Sequence, residues 1–153
     1  MKNKDAKMKH TDKATELFLK GYNCAQAVAL AFSDITGIDN SIMAKLASPF
    51  GGGMGRMREV CGAVSGMYIV LGILYGYDNA EEKEGKKQLY ADVQALADAF
   101  RKQNGSIICR DILKNPPSDP TPSARTDEYY SSRPCVRMVQ TAVNLLDDFI
   151  SSH

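Results

Sequence analysis

The apolar residues of this chain recur at intervals of three and four, the spacing of one face of an α-helix. No stretch alternates as a half-buried strand would. Ala14, Leu17 and Phe18 share a face of a predicted helix over 11–20, with Thr11 or Asp12 as its cap. Val28, Ala31, Phe32 and Ile35 mark a second helix, about 24–36, and Cys24 is in phase with them and predicted to face inward. Asn23 and Gln26 fit a capping box at its start, and Gly37 ends it. A short helix at about 40–48 should turn Ile42 and Leu46 inward before Pro49 stops it. The run GGGMG at 51–55 must be irregular. An uncharged central helix follows at about 60–75. A long amphipathic helix at about 80–103 carries Leu89, Val93, Leu96 and Phe100, and Asn104-Gly105 breaks it. A short helix holds Cys109, Ile112 and Leu113. The last, about 134–151, shows Val139, Val143, Leu146 and Ile150 on one side. The expected core comprises Val28, Phe32, Leu46, Val64, Leu71, Leu89, Val93, Leu96, Val143 and Leu146.

These elements predict an all-α, single-domain bundle of five to seven helices spanning 1–153. Residues 1–10 read as a flexible basic tail. Residues 115–134 hold five of the six prolines and read as a long loop, of the kind used as a lid. Its position directly before Cys135 gives it leverage over access to that sulfur. Val60 to Tyr77 carries no charge and just reaches membrane-spanning length. With charged helices on both sides, it reads as a buried central helix. Gly62 and Gly66 would let a neighbouring backbone approach closely.

Charge and composition narrow the function. A net charge of +1 with interspersed signs and no tryptophan points away from nucleic acid. The lysine-rich start, MKNKDAKMKH, is not followed by an apolar run, so the chain reads as cytoplasmic. In a reducing compartment, four cysteines suggest catalysis, redox sensing or metal binding rather than a disulfide frame.

Cys24, Cys61, Cys109 and Cys135 each fall at a predicted helix start, capped or led by Asn23, Glu59 or Val60, Ser106, and Ser132 with Pro134. Free N–H groups and the positive end of the helix dipole favour a thiolate there. Arg56 and Arg58, Arg110, and Arg133 and Arg137 stand beside three of the four. Cys61, preceded by glycines and arginines, is the expected attacking thiolate. Cys24 is the first choice for its resolving partner, and Cys109 with Cys135 would form the other pair. Spacing alone leaves all three pairings open. The glycine run is neither a phosphate loop nor a dinucleotide fingerprint. Gly52, Gly53, Gly55 and Arg56 are candidate contacts for an anion or thiolate. No Cys-x-x-Cys pair exists, and the two histidines, His10 and His153, are terminal. The expectation is therefore no cofactor. The alternative is zinc or an iron–sulfur cluster on Cys24, Cys61, Cys109 and Cys135. Met54 and Met57 raise copper(I), but methionine more often fills gaps.

The segment FGGGMGRMREVCGAVSG (50–66), with Cys24 in GYNCAQA (21–27) and Cys109 and Cys135 following, resembles a family of redox-active four-cysteine proteins named for a C…CGAxxG…C…C pattern. The resemblance covers roughly residues 12–150. It implies a small, mostly helical prokaryotic protein, often encoded near transporter genes, with thiol redox activity and no assigned substrate. Three readings follow. The first is a thiol–disulfide redox protein with its own redox partner. The second is a metal protein. The third is a helical module that binds a membrane transporter without spanning the membrane itself. A homodimer is compatible with each.

Overall fold

A computed structural model, which describes residues 8–153, shows an all-α chain. In order it forms α1 (His10–Leu19), α2 (Cys24–Ala31), α3 (Ser33–Thr36), α4 (Asn40–Ala47), a 3₁₀ turn (Ser48–Phe50) and α5 (Gly51–Met54). There follow α6 (Gly62–Tyr75), α7 (Lys83–Asn104), α8 (Cys109–Ile112), α9 (Asp127–Ser132) and α10 (Cys135–Ser151). Six of these have eight residues or more, which meets the expected five to seven; the rest are short turns of helix. Among the described residues the sole β feature is an isolated bridge between Val60 and Ile108. Of the expected basic tail, residues 1–7 lie outside the described residues. His10 already opens α1, following Lys9, so Thr11 and Asp12 lie inside the helix rather than capping it.

α2 and α6 are the spine. Ala25 and every residue from Ala27 to Ala31 in α2 are buried, as are Val64, Met67, Val70 and Leu71 in α6. A helix apolar on all sides belongs inside. α2 packs on α1, α4, α6 and α10. The capping box at its start is complete: Gln26 N–H donates to Asn23 Oδ1 at 2.8 Å, and Asn23 N–H donates to Gln26 Oε1 at 3.0 Å. Gly66 sets the closeness of the spine. A Cβ there would lie 2.6 Å from the Ala25 carbonyl oxygen and 3.0 Å from Val28 Cβ.

Three expectations fail for identifiable reasons. Leu46 and Ile42 are 47% and 58% exposed, while Met43 and Ala47 are fully buried. Both pairs have i, i+4 spacing, so periodicity alone cannot choose between them. Ile35 is exposed because the helix breaks at Phe32 (φ −101°, ψ 18°), which separates α2 from α3 and throws Ile35 out of phase. Leu89 and Val93 are half-buried, since only the C-terminal part of α7 enters the core, through Leu96, Ala97 and Phe100. His10 also joins the fold more closely than its terminal position suggests. It stacks on Phe32 with centroids 4.1 Å apart and its ring nitrogens reach Asp147 (2.7 Å) and Asp34 (3.0 Å). The expected loop at 115–134 contains α9, which Thr126 caps by accepting from Tyr129 N–H. No helix among the described residues is long and apolar enough to cross a membrane.

The spine makes a paired prediction. Gly66→Ala forces α2 and α6 apart and should destabilise the protein by about 1–3 kcal/mol. Gly72→Ala, on the open face of α6 with nothing within 4 Å of the new methyl, should stabilise it by up to about 1 kcal/mol. Thermal melts followed by circular dichroism check both; a Gly66→Ala protein as stable as the parent would contradict the packing.

Candidate functional site

One cavity of about 440 Å³ gathers all four cysteines, together with Asn23, Gly52, Gly53, Gly55, Arg56 and Arg58 from the first half of the chain. The proline-rich segment and α9 supply Pro120, Pro122, Ser123, Arg125 and Tyr129, and Arg133 follows just before α10. Cys24, Cys109 and Cys135 are the first residues of α2, α8 and α10. Cys61 is different. It is the N-cap of α6, with extended backbone (φ −51°, ψ 132°), rather than part of its first turn.

Backbone bonds hold the segments of two of the cysteines side by side. Cys61 N–H donates to the Ile107 carbonyl (2.7 Å), Cys109 N–H to the Glu59 carbonyl (2.6 Å), and Arg110 N–H to the Arg58 carbonyl (3.1 Å). Residues 58–61 and 107–110 are thus zipped together. The glycine run packs against this ladder. Gly53 has φ +74°, and a Cβ on it would fall 2.6 Å from Cys109 Cβ. Only glycine meets both conditions. The run therefore makes room for Cys109.

Arg133 acts on Cys135 as its position suggested, but the other arginines do not serve their neighbouring sulfurs. Arg58, expected to assist Cys61, points Nη1 at Cys109 Sγ, 3.7 Å away. Arg56 turns outward to the proline-rich segment, donating to the Asp119 carbonyl (2.7 Å) and to Ser123 Oγ (3.2 Å). Arg110 pairs with Glu59 at 2.9 Å, and Arg137 is exposed. Two contributors were absent from the sequence reading. Arg125 donates to the Phe18 and Tyr22 carbonyls (3.0 and 2.9 Å), and Tyr129 lies under Arg133, whose guanidinium is 4.7 Å from the ring centroid. No motif marks either. Their recruitment depends on how the 115–134 segment folds back over the helix starts.

Burial reverses the expected order of the thiols. Cys61 is pushed up to about 12, chiefly by burial, which outweighs the favourable N–H groups of Ala63 and Val64. Burial also raises Cys109, despite its contact with Arg58. Cys24 is raised well above the usual thiol value, first because it donates a hydrogen bond to Cys135 and then by burial. Cys135 alone is lowered, to about 7. The hydrogen bond from Cys24 is the largest cause, and it acts against burial with help from the charges of Arg133, Arg125 and Arg58. A helix start is common to all four and cannot rank them; partners and desolvation do. Cys135 is thus the thiol whose surroundings most favour ionisation, with Cys24 beside it, whereas burial disfavours a thiolate at Cys61. All four cysteines are free thiols.

Among the described residues no group of three or more His, Cys, Asp or Glu is arranged to hold a metal ion. The alternative ligand set Cys24, Cys61, Cys109 and Cys135 shares the cavity.

The chain belongs to the family described as putative redox-active protein (C_GCAxxG_C_C), which matches residues 22–149. Where that description writes GCAxxG, this chain has Cys61-Gly62-Ala63-Val64-Ser65-Gly66. No curated protein and no solved structure matches it.

The thiol order predicts a labelling pattern. Cys135, with a value of about 7, should be alkylated by iodoacetamide at a rate that rises through that pH and levels off above it. One unit below, the thiolate fraction and the rate should fall to about a tenth of the plateau. Cys61, at about 12, should stay unlabelled across the neutral range. Replacing Arg125 and Arg133 with glutamine should move the Cys135 midpoint upward. Peptide mapping by mass spectrometry reads all of this, and preferential labelling of Cys61 would contradict it.

Proposed function

We propose that this member of the redox-active family carries out thiol–disulfide exchange, with Cys135 as the attacking thiolate and Cys24 as the resolving thiol. The observation that carries the reading is geometric: Cys24 and Cys135, the first residues of α2 and α10, line one cavity together with Arg58, Arg125 and Arg133. An exchange protein needs one ionised sulfur and a second, protonated one within reach of it.

The steps follow from that pair. The Cys135 thiolate attacks one sulfur of a disulfide R–S–S–R, forming a Cys135–S–R bond and releasing R–S⁻. The negative charge on Cys135 is then gone. With it goes the interaction that most strongly holds the proton on Cys24. The Cys24 proton passes to the departing thiolate, giving R–SH. The Cys24 thiolate next attacks Cys135 Sγ, forming the Cys24–Cys135 disulfide and expelling the second R–S⁻, which takes a proton from water. Two electrons have moved from the protein dithiol to the substrate. An external dithiol restores the pair, as a reducing compartment such as the cytoplasm would allow. Cys61 and Cys109, protonated through burial, take no part in this first exchange. No comparable observation favours a metal centre or a transporter-binding module.

Incubating the reduced protein with bis(hydroxyethyl) disulfide should produce a Cys24–Cys135 bridge and two equivalents of mercaptoethanol. Cys24→Ser should halt at a mixed disulfide on Cys135. Cys135→Ser should slow consumption of the reagent roughly tenfold or more. Peptide mapping under non-reducing conditions separates these outcomes. A bridge between Cys24 and Cys61, or between Cys109 and Cys135, would overturn the assigned pair.

A further inference from the structure

The cavity around the thiols has a marked charge imbalance. Arg56, Arg58, Arg125 and Arg133 line it, and among the described residues no Asp or Glu does. Guanidinium groups keep their charge at any ordinary pH, so burial cannot neutralise them. Arg58 is the extreme case, being only 3% exposed. Its Nε donates to the Pro117 carbonyl at 2.9 Å and its Nη1 to Cys109 Sγ at 3.7 Å, both neutral acceptors. Its Nη2 is buried and has no hydrogen-bond partner among the described residues. A permanent charge buried against neutral groups with a donor left over is costly unless something compensates it.

The nearby carboxylates do not supply that compensation. Glu59 is turned to Arg110 at 2.9 Å. Asp119 stands at the rim, 60% exposed, and is 3.9 Å from Arg56. Arg133 has Ser123 Oγ (3.4 Å) and the Tyr129 ring, and Arg125 has carbonyls, the Tyr130 hydroxyl and aromatic rings. Gly52 keeps the wall beside Arg58 bare: a Cβ there would sit 2.7 Å from Arg56 Cγ and 3.6 Å from Arg58 Nη1. The cavity volume, about 440 Å³, is within the range that small molecules fill.

We propose that Arg58, with Arg133 and Arg56, forms an anion-binding subsite of this cavity, and that the substrates are small disulfides carrying a carboxylate. The first part stands on the orphaned guanidinium. The second rests on the exchange reading given above. A carboxylate in the cavity would balance the charge of Arg58, Arg133 and Arg56 and bring the ligand's sulfur into the space that Cys135 lines. Fork-shaped guanidinium donors match a carboxylate well. The charge also persists through the reaction. When Cys135 loses its negative charge in the mixed disulfide, the bound carboxylate still balances the arginines.

Two pairs of probes separate the parts. Adipate and hexanediol have the length of a small disulfide but cannot exchange. Calorimetry on the reduced protein should show adipate binding roughly tenfold or more tightly than hexanediol. Raising salt from about 0.05 to about 0.5 M should weaken the adipate binding. R58Q should abolish the preference and R133Q should reduce it several-fold. If R58Q does not fold, R56Q and R133Q with the salt series carry the test. Equal binding of adipate and hexanediol, or adipate binding untouched by the folded arginine variants, would overturn the subsite. The second pair is dithiodiacetate and bis(hydroxyethyl) disulfide, with each exchange rate divided by that of free mercaptoethanol. The normalised rate should favour dithiodiacetate by roughly tenfold. Adipate binding without exchange on either disulfide would support the subsite and overturn its assignment to disulfide substrates. Exchange on both at equal normalised rates, without adipate binding, would leave the thiol chemistry standing and overturn the subsite.

Discussion

The proposed chemistry depends on two thiols, those of Cys24 and Cys135, being brought together in one cavity among arginines. Cys24 at the start of α2 keeps its proton, and the neighbouring Cys135 at the start of α10 is the sulfur whose ionised form is favoured. Each depends on the fold for its position. α2 is held by its capping box and by the close glycine contact with α6, and α10 packs on α1, α2, α6 and α7. The contact also makes the two thiols unlike: one is raised and the other lowered by the same bond. That asymmetry is what exchange chemistry needs, because an attacking sulfur must be ionised while its partner holds a proton until the first bond has formed.

Desolvation is the opposing constraint. All four sulfurs lie at helix starts, where the dipole favours anions by typically less than about 1 kcal/mol. Burial works against a thiolate at every one of them and wins at Cys61 and Cys109. Only where a hydrogen-bond donor and three arginines converge does the balance turn. The arginines therefore have a double effect in this account. They sustain the Cys135 thiolate, and through Arg58 they leave positive charge for a ligand to meet.

How far the chain could be read in advance depended on the range of each interaction. The capping box of Asn23 and Gln26, the left-handed Gly37 and the irregular glycine run are local, and sequence spacing revealed them. The α4 stripe was not decidable, because Ile42/Leu46 and Met43/Ala47 repeat at the same interval. The cysteines were recognisable as a set, and the structure does bring them to one cavity. Their ranking was not. Cys61 has the richer local context, with glycines and arginines beside it, but its burial is a tertiary property. Cys135 gains its partner from a residue more than a hundred positions away. Arg125 and Tyr129 were hidden in a stretch that looked like an unstructured loop, although Thr126 caps a short helix there.

The central claim is that one thiol of the four is set apart by its partners. Following the ultraviolet absorbance of thiolate across a pH titration of the reduced protein, compared with the Cys135→Ser variant, tests it most directly. The account predicts one ionisation centred near 7 in the parent, missing from the variant, with the other three sulfurs ionising well above it. A parent in which no thiol titrates below the ordinary value of about 8.5, or a variant that keeps the low step, would contradict it.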